Sequence, residues 1–217
     1  MQLQPTINRR SFLGVTAASV AGLAGCTEPE QSQSMSDPGE IIEAMASLPT
    51  LAHPTVSPDG SKVALYYDDT GRNELHVMNV ETGERKQWSD GEVPRSTHWF
   101  LEWDAEGKQV FFHLDEDGNE QNDIYAIDSN GDVSQVVEME GLSYIADVGS
   151  QGEQLLVAST TEGQLNLYDH HLGEGATTKL TDYDRAVFTG MYSPDGNKLA
   201  YVTNESDNVK NTDVYLA

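Results

Sequence analysis

The sequence predicts an all-β fold, a β-propeller of four-stranded blades, and three observations carry that expectation. The phrase Ser57-Pro58-Asp59-Gly60 returns as Ser193-Pro194-Asp195-Gly196, with echoes at Asp104-Ala105-Glu106-Gly107 and Gly149-Ser150-Gln151-Gly152. The glycines of the four copies, Gly60, Gly107, Gly152 and Gly196, lie 47, 45 and 44 residues apart, which is the length of one four-stranded blade. Each copy is followed by short runs rich in β-branched and aromatic residues, and helix signals are almost absent after residue 50.

The first element along the chain is a leader. Asn8-Arg9-Arg10-Ser11-Phe12-Leu13 sets paired arginines before a weakly apolar, uncharged stretch over residues 14–25, the pattern of a twin-arginine export signal. That stretch is too short for a membrane span, which takes roughly 20 residues. It ends in Leu23-Ala24-Gly25-Cys26, which resembles the lipobox of secreted lipoproteins, and Cys26 is the only cysteine. Residues 1–26 therefore read as a signal with export through Arg9 and Arg10 and lipidation at Cys26. The expected location is the outer face of the cell membrane, and a single cysteine leaves no internal disulfide.

Residues 27–38 are rich in Gln, Ser and Glu without apolar periodicity, and read as a flexible linker. Residues 39–52 form a short helix and a lead-in segment. Asp37-Pro38-Gly39-Glu40 supplies a start signal, and Ile41, Ile42, Met45 and Leu48 follow at helical spacing. This helix is expected to pack on the propeller.

Residues 53–217 are the partial propeller, with blades near 53–95, 96–141, 142–185 and 186–217. After each turn comes a strand run: residues 62–67, 109–114, 154–159 and 198–203. A polar loop leads to a second run with period-two alternation at residues 74–80, 123–128, 164–169 and 213–216. Glycine-containing hairpins such as Glu81-Thr82-Gly83-Glu84 and Ser129-Asn130-Gly131-Asp132 then turn the chain into a further strand. The fourth unit stops after its third strand, and an open propeller leaves a bare sheet edge. The expectation is that this sequence is part of a longer protein.

Twelve Lys and Arg against 36 Asp and Glu give a net charge of −24, which disfavours nucleic acid and anionic lipid as partners. The acids are spread over all four repeats, as suits a protein that stays soluble in concentrated salt, where self-repulsion is screened. Together with the leader, this points to a halophilic archaeon.

The chemistry-bearing motifs are weak. No Gly-x-Ser-x-Gly elbow, HExxH, Walker loop or dinucleotide fingerprint occurs, and Ser150 sits in a blade turn rather than between a strand and a helix. His170-His171 could suggest a metal pair, but adjacent side chains of an extended chain point to opposite faces, so both are expected in a hairpin. Asp115-Glu116-Asp117-Gly118-Asn119-Glu120 has its glycine fourth rather than sixth, unlike a calcium loop. Asn204-Glu205-Ser206 is a glycosylation sequon on an expected loop. Trp88, Trp99 and Trp103 are expected to wedge between blades rather than line a substrate channel. No catalytic, cofactor-binding or metal-binding residue is expected in this chain.

The repeats resemble two propeller groups, the TolB-like propellers and the propellers of prolyl oligopeptidase family serine peptidases, which include dipeptidyl and acylaminoacyl peptidases. The loop from Leu114 to Asp128, with its extended Asp117-Gly118-Asn119-Glu120 segment, resembles the peptidase propellers, as do Ser193 to Leu216 and the helix leading into blade 1. The peptidase resemblance implies a seven- or eight-bladed propeller followed by an α/β-hydrolase domain with a Ser-Asp-His triad. None of that domain lies in this sequence. The implied role is to gate a buried active site, admitting short or unfolded peptide substrates through the propeller. The alternative is a TolB-like lipoprotein that binds a protein or ligand without catalysis.

Overall fold

The structure is a computed structural model that describes residues 38–95, 99–115, 121–205 and 210–217. Arg9, Arg10, Cys26 and the linker lie outside the described residues. The chain divides into two units, residues 1–45 and 46–217. Of the first, the structure describes residues 38–45, which lie in helix α1 (Pro38–Ala46); it carries Pro38 at its start and Glu40 in its first turn, where a carboxylate favours the helix dipole. No residue of α1 is buried, and Ile42 and Met45 are each 67% exposed.

The second unit is a partial β-propeller built of four antiparallel sheets. Blade 1 comprises β1 (Leu51–Val56), β2 (Lys62–Tyr67), β3 (Glu74–Asn79) and β4 (Arg85–Gln87). Blade 2 comprises β5 (Glu102–Trp103), β6 (Gln109–Asp115), β7 (Asn122–Asp128) and β8 (Val133–Val137). Blade 3 comprises β9 (Ser143–Val148), β10 (Gln154–Ser159), β11 (Asn166–His171) and β12 (Ala176–Lys179). Blade 4 has three strands, β13 (Val187–Tyr192), β14 (Leu199–Thr203) and β15 (Asp213–Leu216). Strand order in every sheet follows chain order. The first strands β1, β5, β9 and β13 contact one another in succession, so the sheets converge on them.

The repeated turn explains its own sequence. In blade 1 the Ser57 hydroxyl donates to Asp59 at 2.7 Å and accepts the Lys62 N–H at 2.9 Å, while Gly60 adopts φ 73°, a left-handed conformation that glycine takes without strain. The Ser57 hydroxyl, then the N–H and hydroxyl of Ser61, hold the Asp59 carboxyl down to about 2. Blade 4 repeats this geometry with Ser193, Asp195 and Lys198. In blade 2 the Asp104 carboxylate replaces the serine and accepts the Lys108 N–H at 2.7 Å.

Alternation on the middle strands fills two interfaces at once, which is why those strands read as continuous apolar runs. On β6, Val110 and Phe112 join Ala64, Tyr66, Leu75 and Trp88 of blade 1. The intervening Phe111 joins Leu155 and Val157 of blade 3. On β10, Leu156 and Ala158 point the other way, into a core with Val187, Leu199 and Tyr201 of blade 4. The third interface is tight at Gly190, where an added Cβ would meet the Leu167 side chain at 2.7 Å and the Ala200 carbonyl at 3.2 Å. Trp88 and Trp103 meet edge to face at 5.7 Å in the first interface, so the wedge role expected of them holds.

Two local expectations are corrected. The third strand of blade 3 begins at Asn166 rather than residue 164, and His170 and His171 are its last residues, not hairpin residues. The Gln154 to His171 pairing sets this register, and the hairpin is closed by Gly175, whose N–H reaches the His171 carbonyl at 2.8 Å. Blade 1 begins at Leu51, two residues before His53.

Candidate functional site

The first strands form the inner wall of a propeller, and here they are irregular. Register shifts interrupt β1, β9 and β13, and His53 within the β1 shift has a φ of 47°, unusual for a residue with a side chain. Such bulges re-aim side chains that regular pleating would alternate.

Pairing identifies one equivalent position on all four first strands. Thr55 pairs with Ala64, Glu102 with Phe111, Asp147 with Leu156 and Met191 with Ala200. Each stands two residues before its blade's turn. Glu102 and Asp147 thus bring carboxylates from neighbouring blades to one level of the wall. Together with Val56, Pro58, Trp103 and Ser150 they line a cavity of about 300 Å³.

The two acids are held differently. One oxygen of Asp147 accepts the Tyr192 N–H at 2.7 Å, tying blade 3 to blade 4. Glu102 has no hydrogen-bond or ion-pair partner among the described residues. Burial, and then the neighbouring Asp147 carboxylate, push its pKa above the ordinary carboxylate value. Trp103 beside it is fixed by its indole N–H, which donates to the Thr55 carbonyl at 3.1 Å.

Further along the wall the side chains are aromatic. The Trp99 ring stacks on Tyr144 with centroids 5.5 Å apart and lies 5.7 Å from His113. Trp99 is therefore also a wedge, between blades 2 and 3. Phe100 meets His53 edge-on at 5.0 Å, and the Tyr144 hydroxyl donates to the Phe188 carbonyl at 2.6 Å. Large apolar side chains on or just before the first strands stay open to solvent: Phe100, just before β5, is 65% exposed, Met191 62%, Val56 59% and Phe188 55%.

His113 holds the wall from behind. Its Nε2 accepts the Ile145 N–H at 3.0 Å across the blade 2 to blade 3 interface. Burial lowers its pKa to about 4, opposed by a backbone hydrogen bond at Phe100, so the ring is neutral at pH 7.

A second cleft of about 920 Å³ lies at the hairpin ends of blades 2 and 3, among Lys62, Lys108, Trp88, Phe111, Asp128 and His170. Its groups are occupied by structural bonds. The Lys62 ammonium donates to the Gly107 carbonyl at 3.0 Å, and His170 Nδ1 lies 2.8 Å from the Thr177 hydroxyl.

At the opposite ends of the sheets a repeated polar latch joins the third strand to the connection between blades. Asp123 accepts the Met139 N–H at 3.3 Å, Glu74 the Gly91 N–H at 3.1 Å, and Asn166 the Tyr183 N–H at 3.0 Å. The hydroxyl of Ser89 or Thr181 completes the latch in blades 1 and 3 by accepting the N–H of Leu75 or Leu167 at 2.8 Å.

Of the residues considered from sequence, Ser150 is a turn residue whose hydroxyl donates to the Pro194 carbonyl at 2.7 Å. His170 and His171 do not converge with other ligands, and no group of three or more His, Cys, Asp or Glu fit to hold a metal ion occurs among the described residues. Residues 116–120 and Ser206 lie outside the described residues. Glu102, Asp147 and the latch residues were not singled out from sequence. Their signals are positional: the second residue before each turn, and a polar residue at the first or second position of each third strand.

No family model matches the sequence, and no curated protein sequence matches it. Solved structures do. TolB from Acinetobacter baumannii aligns at 23% identity and TM-score 0.62, covering 77% of this chain and 40% of that one. The chain has a TolB-like propeller fold. A putative TolB from Agrobacterium tumefaciens aligns at 19% identity and TM-score 0.62, over 76% of this chain and 61% of that one. A prolyl endopeptidase aligns at 16% identity and TM-score 0.61, over 82% of this chain and 30% of that one. The propeller described here spans less than two thirds of the length of each, and the likeness is one of fold.

Proposed function

We propose that this chain is the substrate-gating propeller of an exported prolyl-oligopeptidase-like serine peptidase, with the hydrolase domain supplied elsewhere in the intact protein. The observation that carries the reading is the inner wall, where Val56 and Phe188 on the first strands and Phe100 just before β5 remain exposed. A wall that leaves large apolar side chains open offers contacts to the apolar groups of an unfolded peptide. The likeness of fold to a prolyl endopeptidase and the extended loop after Leu114 support it. Export through Arg9 and Arg10 and anchoring through lipid on Cys26 complete the proposal.

Two measurements test this reading. The downstream reading frame should contain a Gly-x-Ser-x-Gly motif, and the full-length protein should be labelled by a fluorophosphonate with loss of peptide cleavage. A stop directly after the last blade, with no labelling, overturns it in favour of a TolB-like binding lipoprotein.

A further inference from the structure

The wall offers two chemistries side by side. Exposed apolar side chains flank two carboxylates, Glu102 and Asp147, which stand at the same level on adjacent blades and open into one cavity of about 300 Å³. Glu102 is half-buried and takes no hydrogen bond or ion pair from the described residues. Of Asp147, one oxygen is used by the Tyr192 N–H. The Lys62 ammonium is bonded to the Gly107 carbonyl and lies over Trp103 at 5.5 Å from the ring centroid. Neither carboxylate makes an ion pair with any of the described residues, within an acidic chain of net charge −24.

We propose that this wall selects peptides by charge, seating lysine or arginine side chains of an extended peptide on Glu102 and Asp147 while neighbouring apolar residues rest on Val56 and Phe100. The inference rests on the peptide-handling reading above and adds the substrate class to it. Charge complementarity identifies the occupant. A cation entering the cavity would give Glu102 the partner it lacks, whereas an acidic peptide would place a third negative charge beside two half-buried ones. Apolar contact supplies affinity, and the carboxylates supply discrimination.

The test uses the whole chain and three fluorescently labelled peptides of equal length and apolar content, carrying lysines, glutamates or neither. Anisotropy titrations in moderate salt should show the lysine peptide binding at least about tenfold more tightly than the glutamate peptide. The variant Glu102→Gln/Asp147→Asn keeps an oxygen for the Tyr192 N–H and should erase most of that difference. It should leave the neutral peptide's affinity unchanged, which also reports that the wall is intact. A control variant, Glu81→Gln/Glu174→Gln, removes two exposed hairpin acids and should leave the discrimination in place. Equal binding of lysine and glutamate peptides, or equal effects of the two variants, overturns the inference while leaving peptide binding standing. Failure of all three peptides to bind overturns the peptide-handling reading itself, and the inference with it.

Discussion

The outward faces of the first and last blades are made by the same strand pattern and end differently. On blade 1 the Arg85 guanidinium lies 3.9 Å from the centroid of the Tyr67 ring and is ion-paired to Asp69. His76 meets the same ring edge-on at 5.7 Å, and Leu65 beside it on the strand pair is buried. On blade 4 the paired rows Ala200 with Leu216 and Val202 with Val214 carry no such cover. Val214 is 75% exposed and Leu216 71%. One face is closed by charge and aromatic stacking, whereas the other presents the aliphatic surface that every inner blade buries against a neighbour. Blade geometry alone thus does not fix how a face is finished. The side chains of the outer two strands do.

The largest effect that would break this comparison is a change of face. Leu156 is fully buried between blades 3 and 4, and Leu156→Ala should cost about 3 to 5 kcal/mol by opening a cavity in that interface. Leu216→Ala, on the open face of blade 4, should change stability by less than about 0.5 kcal/mol. Urea unfolding followed by tryptophan fluorescence measures both. Similar losses for the two would show that the outward face of blade 4 is covered in solution.

A second effect belongs to the interface between blades 2 and 3. The unfolded His113 imidazole takes a proton near its ordinary value of 6.5, whereas the buried ring resists protonation down to about 4. Between these pH values the unfolded chain holds the extra proton, so the contribution of neutral His113 is complete above pH 6.5 and is lost as pH falls toward 4. His113→Gln removes this titration and leaves a side-chain acceptor for the Ile145 N–H. Its stability should fall by about 2 to 3 kcal/mol less than that of the unaltered protein between pH 7 and pH 4.5. Parallel losses in urea titrations at the two pH values would refute the assignment.

How far the sequence could be read follows from the same strands. The runs after each turn, residues 62–67, 109–114 and 154–159, were legible because both sheet faces are buried and the apolar run is continuous. The first strands were not. β1 contains Pro54, β13 contains Gly190, β5 is two residues long, and bulges break the alternation in β1, β9 and β13. Since these strands make the inner wall, Glu102 and Asp147 stayed hidden while the scaffold around them was plain. The latch was half visible: Glu74 and Asp123 open their strand runs in sequence, but Asn166 was displaced by Gln164, whose polarity mimics it. His170-His171 misled for a related reason, since two polar residues before a glycine-rich segment look like a turn. In fact their strand is kept in register by the hairpin at Gly175.

The smallest effect sharpens the contrast between the two end faces. Arg85 is exposed, and an exposed ion pair with a ring contact contributes about 1 kcal/mol or less. Arg85→Gln should therefore barely alter unfolding, and its cost should shrink further in concentrated salt. Its clearer signature is on His76, whose pKa is lowered first by burial and second by the positive charge of Arg85, against the opposing pull of Asp69 and Glu74. Removing Arg85 deletes one lowering influence and frees Asp69, which lies 3.9 Å from His76 Nε2, to attract the imidazolium. The His76 pKa should rise, as followed by NMR titration of the ring protons. An unchanged or lower value would mean that the guanidinium does not lie over this face in solution, and that blade 1 is finished in some way other than by its own charged and aromatic cover.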